Sequence, residues 1–143
     1  MIFLDTNVFL RHLTQAATPE AALMQSVASA LFNAIERGDV EATTTEVVLH
    51  EASYLLASKK HYAISWPEIA DYLSPLLELP GMKFARGEKR IFLRALEIAA
   101  AHPKLEFADS VIAARCEAIG NELATFDEGL AALTGLTRWN PPA

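Results

Sequence analysis

Apolar positions along the chain follow two rhythms: short unbroken runs, and longer stretches where they return every third or fourth residue. The first run, Met1-Ile2-Phe3-Leu4, stops on Asp5-Thr6-Asn7 and predicts a buried strand that delivers an acid at its C-terminal end. Val8, Phe9, Leu10 and Leu13 then predict a short helix over 8–13. A longer helix follows, with Thr18 as cap, Pro19 in its first turn, Leu23, Val27, Ala30, Leu31 and Ala34 as the buried stripe, and Gly38 as stop. A second strand is expected over 40–43. Thr43-Thr44-Thr45-Glu46 reads as a capping box opening a helix through Val47, Val48, Leu55 and Leu56.

Ser65-Trp66-Pro67-Glu68 is a second capping-box pattern, ahead of a helix to about residue 79 with Pro75 as a kink. Pro80-Gly81 marks a turn and Met82-Lys83-Phe84 a short edge strand. Helices follow over Ile91 to Ala99 and over 106–119, separated by Pro103 and ended by Gly120-Asn121. A strand ending on Thr125-Phe126-Asp127, a helical turn over 130–133 and a last strand over 136–139 complete the chain. This alternation argues for a single α/β domain over 1–143, in three layers (α/β/α) around a mainly parallel central sheet.

Four acids stand out against that pattern. Asp5 and Asp127 end strand-like runs, where open α/β sheets bind ligands. Glu51 falls between Val48, Ala52 and Leu55, and Asp109 shares a face with Ile112, Ala113 and Cys116, so both are expected on core-facing stripes. Each has an ordinary reading as well: a helix cap for Asp5, a buried ion pair for Glu51, a dipole partner for Asp109, a turn residue for Asp127. Taken together they predict one acidic pocket at the strand ends. Clustered carboxylates repel, and a hard divalent cation relieves that repulsion. Oxygen ligands without a His or Cys cluster favour Mg²⁺ or Mn²⁺ over zinc, and such sites hydrolyse phosphodiesters with metal-activated water.

Composition narrows the setting. A net charge of −6 and a pI near 5.2 exclude nucleic-acid binding by bulk charge alone, although bound metal ions would reverse the local field. With the single cysteine, Cys116, no intramolecular disulfide can form; we expect a small core residue in a reducing cytoplasm. No apolar stretch is long enough to span a bilayer, and the start of the chain lacks the basic and apolar regions of a signal peptide.

Asp5-Thr6-Asn7 after the first strand, the acid in Val48-Leu49-His50-Glu51-Ala52, Asp109-Ser110-Val111-Ile112-Ala113-Ala114 and Thr125-Phe126-Asp127 resemble the PIN domain. The size of the chain looks like the VapC-type toxins of toxin–antitoxin pairs. The resemblance implies a PIN-like fold and a Mg²⁺- or Mn²⁺-dependent endoribonuclease with Asp5, Glu51, Asp109 and Asp127 as the metal-holding catalytic acids. It further implies that Asn7 and Thr125 orient the pocket, that Thr6 caps the helix, and that the partners are an RNA substrate, a cognate antitoxin and a second copy in a homodimer. Glu106, an extra acid near Asp109, and the loose Phe126-Asp127-Glu128-Gly129 segment depart from the family pattern.

RNA docking needs positive charge, and Lys83 with Arg86, Arg90 and Arg94 is the candidate stripe, the three arginines being spaced four apart; a solvated face is the ordinary alternative. Lys59-Lys60-His61 reads as helix-end charge. Three other functions compete: a metal-independent ribonuclease using histidines, a PIN-like nuclease of RNA processing, and a binding module without catalysis. His12, His50, His61 and His102 share no spacing, which weighs against the first.

Overall fold

The computed structural model describes residues 1–142. Its elements run β1 (Ile2–Phe3), α1 (Thr6–Leu13), α2 (Pro19–Arg37), β2 (Ala42–Thr43), α3 (Glu46–Ala57) and α4 (Trp66–Leu77), then α5 (Glu88–Ala101), α6 (Phe107–Ile119), β3 (Glu122–Leu123), α7 (Glu128–Ala131) and β4 (Thr137–Arg138). β1 pairs with β2 in parallel, Ile2 opposite Ala42, and Met82 adds a parallel bridge on the far side of Ala42. β3 and β4 form a second parallel pair, Glu122 opposite Thr137. The chain is therefore α/β with parallel strand pairings, and among the described residues these fall into two short pieces.

Helix signals held well where they rest on one residue. Thr18 accepts from the Ala21 amide at 3.1 Å, Pro19 opens α2, and Gly38 closes it at φ +77°, a left-handed conformation that costs glycine nothing. The two capping boxes do not form. Thr45 and Ser65 occupy the N-cap positions, but neither side chain makes a capping hydrogen bond. The hydroxyl of the buried Thr44 instead donates to the Leu4 carbonyl at 3.0 Å, tying the end of β1 to the start of α3.

Helix phase differs from expectation in three places. The core face of α2 is Ala21, Ala28, Phe32 and Ile35, whereas Leu23 and Val27 are 68% and 64% exposed. In α3 the buried set is Val48, Leu49, Ala52, Ser53 and Leu56, which turns Glu51 to solvent. In α6 it is Phe107, Ser110, Val111, Ala113 and Ala114; Asp109 and Cys116 are half-buried and Ile112 is exposed. One continuous core joins Leu4, Phe9, Phe32 and Ile35 to the inner faces of α3–α6. Gly81 sits against the backbone there: a Cβ at this position would lie 2.3 Å from the Val40 carbonyl and 2.7 Å from that of Ile35. No helix is long and apolar enough to cross a membrane among the described residues.

Candidate nuclease site

Strand β1 ends at Phe3, and the buried Leu4 leads directly to Asp5 at the surface. Asp5 is the N-cap of α1: its Oδ1 accepts from the Thr6 amide at 2.7 Å. Thr6 is thus the first helical residue, 5% exposed, and not the cap expected from the resemblance. Asn7 follows it on the exposed side of α1.

Asp109 lies in the first turn of α6, where its Oδ2 accepts from the Glu106 amide at 3.4 Å; Glu106 is the N-cap. Asp127 is the N-cap of α7, its Oδ1 accepting from the Leu130 amide at 3.1 Å. The Asp127 amide in turn donates to Thr125 Oγ1 at 3.0 Å. Glu51 projects from the middle of α3 and accepts no hydrogen bond among the described residues.

Three of the four acids therefore share a local design. One carboxylate oxygen satisfies an orphan amide at a helix start, and the other oxygen has no protein donor among the described residues. The acids do not converge into a finished cage: among the described residues no three His, Cys, Asp or Glu side chains gather closely enough to hold a metal ion. In donor chemistry the set fits a hard divalent ion, being all oxygen with a free lone-pair face on each residue.

Two arginines that the sequence reading passed over organise the surroundings. Arg115 of α6 donates to Glu46 of α3 at 2.8 Å and to Glu88 of α5 at 3.1 Å, and these bonds hold its guanidinium above its ordinary pKa. Arg138 of β4 donates to the Thr125 carbonyl at 3.0 Å and to Glu128, bracing the loop that bears Asp127. No local signal marks them, because their partners lie up to 69 positions away in sequence.

The expected basic stripe is only partly free. Arg94 is tied to Glu97 at 3.0 Å and to Glu117 at 3.1 Å, and both acids hold its pKa up, Glu117 the more strongly. That removes Arg94 from the stripe. Arg86 and Arg90 remain exposed beside a shallow groove with Lys83 and Lys89. The histidines stay apart: His12 packs on Phe32 and bonds Ser29, whereas His61 bonds Ser58.

No curated protein matches the chain. The sequence profile of the PIN domain matches residues 2–136, a span that takes in every element from β1 to α7 and all four acids. With that coverage, and acids set at strand ends and helix starts, the chain belongs to the PIN-domain family.

Proposed function

We propose that this protein is a Mg²⁺- or Mn²⁺-dependent endoribonuclease acting as the toxin of a toxin–antitoxin pair. The observation that carries the reading is the PIN-domain match over residues 2–136, since PIN domains are generally metal-dependent nucleases. Asp5, Glu51, Asp109 and Asp127 would hold the ion. When bound, it supplies a water of lowered pKa and charge stabilisation at the leaving oxygen.

The chain's own residues do the rest. Asp5, Asp109 and Asp127 are each fixed by a backbone amide, which limits the rotamers of the free oxygen and reduces the entropy lost on binding. Thr125 and Arg138 hold the Asp127 loop from both sides of its backbone. Asn7, two positions after Asp5 in the first turn of α1, would orient the acid or the substrate. Arg86 and Arg90 offer phosphate contacts at the edge. The same reading includes the layered α/β/α arrangement, a cytoplasmic setting, a homodimer and a cognate antitoxin. The exposed Leu23, Met24 and Val27 on α2 support a protein partner, because a covered apolar stripe is what such a partner would provide.

A binding module without catalysis has one observation in its favour, that no three-acid cluster is preassembled among the described residues. Cleavage of an RNA panel in Mn²⁺ or EDTA, beside Asp5→Asn, tests both. Metal-dependent cleavage, with more than a hundredfold loss in Asp5→Asn, is the expected result. Mn²⁺ should also raise the melting temperature of the wild type and not of the variant. No cleavage and no Mn²⁺-induced shift would leave the binding module standing.

A further inference from the structure

Between the second half of α3 and the start of α6 lies a cavity of about 490 Å³ that none of the four acids lines. Its size falls within the range of small-ligand sites, roughly 300–1,000 Å³. The lining combines aromatic surface from Tyr54, Trp66 and the His50 ring with positive charge from Lys59, Lys60 and Lys104. On a chain of net charge −6 this is a local reversal, and none of the three lysines is in an ion pair among the described residues. Glu106 is the only acid on the wall.

Tyr54 leaves 52% of its surface uncovered, and its ring lies 6.5 Å from that of His50 at an angle of 42°, so Tyr54 presents an open aromatic shelf beside the histidine. His50 Nδ1 is buried and has no hydrogen-bond partner among the described residues. The cavity adjoins the acids through the chain itself: Asp109 accepts from the amide of Glu106 on the wall, and Glu51 follows His50 on α3.

Aromatic shelves flanked by lysines are how proteins hold single-stranded nucleic acid, with bases stacked and phosphates paired to cations. A duplex keeps its bases stacked on one another and could use only the lysines. We propose that this cavity binds an unpaired RNA nucleotide next to the scissile bond. Its base lies on Tyr54, and the flanking phosphates contact Lys59, Lys60 and Lys104. The inference rests on the nuclease reading for the meaning of "next to the scissile bond", while binding itself is testable without cleavage.

The probe is a fluorescein-labelled single-stranded RNA decamer, titrated with the full chain in EDTA and followed by anisotropy. Tyr54→Ala should weaken binding about tenfold, within the range for one stacked base. Lys59→Glu combined with Lys104→Glu should weaken it at least as much and flatten the dependence of log Kd on log salt by about 0.7 per lost phosphate contact. These side chains are exposed, so melting temperatures should stay near wild type. An RNA duplex of equal length should bind more weakly and ignore Tyr54→Ala. Wild-type affinity in both variants, no binding by the wild type, or an equal Tyr54→Ala loss on the duplex would overturn the proposal. Intact Mn²⁺-dependent cleavage with unchanged decamer affinity would remove the pocket and keep the nuclease. Weakened decamer binding in a protein that never cleaves would do the reverse.

Discussion

Asp5 does two jobs with one carboxylate, and that decides which substitution isolates its chemistry. Asparagine caps helices about as well as aspartate, so Asp5→Asn keeps the 2.7 Å bond to the Thr6 amide while removing the charge. Loss of cleavage in this variant would therefore report on the site and not on a frayed α1. His12 makes a separate prediction. Burial against Phe32 holds its pKa below the ordinary value of 6.5. The unfolded chain then takes up a proton first as pH falls through 6.5, so stability declines below that value; above it both states are neutral and nothing is lost. Denaturant melts at pH 7 and pH 5 should show a smaller decline for His12→Asn than for the wild type. At this scale the local signals were partly readable: both acids could be seen at strand ends, Asp5 also as a cap and Asp127 also as a turn residue, and both are caps. Glu51 was misplaced because Val48, Leu49, Ala52, Ser53 and Leu56, not Leu55, set the phase of α3.

Among the elements, Gly81 shows how a connection can be as constrained as a core. Its amide donates to Ile35 at 2.9 Å and its carbonyl accepts from Ala42 at 2.9 Å, so α2, β2 and the Met82 bridge meet at one residue. Gly81→Ala places a methyl group against two carbonyls, neither of which can swing away. We expect a loss of about 1–3 kcal/mol, read as a lower denaturant midpoint with unchanged slope. Pro80-Gly81 was legible as a turn; the close backbone approach was not, since it depends on Val40 and Ile35 arriving from elsewhere. Helix α2 teaches the same lesson differently. It is apolar on more than one side, and periodicity alone cannot choose between the Leu23–Val27 face and the Ala28–Phe32–Ile35 face. Tertiary packing chose the face that carries Phe32 and Ile35 alongside the small Ala21 and Ala28. The first capping-box pattern failed for a related reason: α3 starts directly at Glu46, whose carboxylate pairs with Arg115, while Thr44 bonds Leu4.

For the molecule as a whole, the fold class and the order of the acids were legible because the strand–helix alternation and the strand-end acids are local features. The basic surface was not. Sequence spacing favoured Arg86, Arg90 and Arg94, yet Arg94 is spent on Glu97 and Glu117, whereas Lys59, Lys60 and Lys104 come together only when α3 meets α6. The two separate strand pairs have a further consequence, in the order in which the molecule opens. The segment from β3 to β4 is anchored chiefly by Leu130 and Leu133, and its strand hydrogen bonds close within the segment itself. Such a unit can detach below the free energy of global unfolding. Amide hydrogens over 122–138 should exchange well before those of α5 and α6, measured by deuterium uptake at neutral pH. Asp127 rides on that segment, so its carboxylate moves with a unit that opens while the rest of the fold keeps its protons.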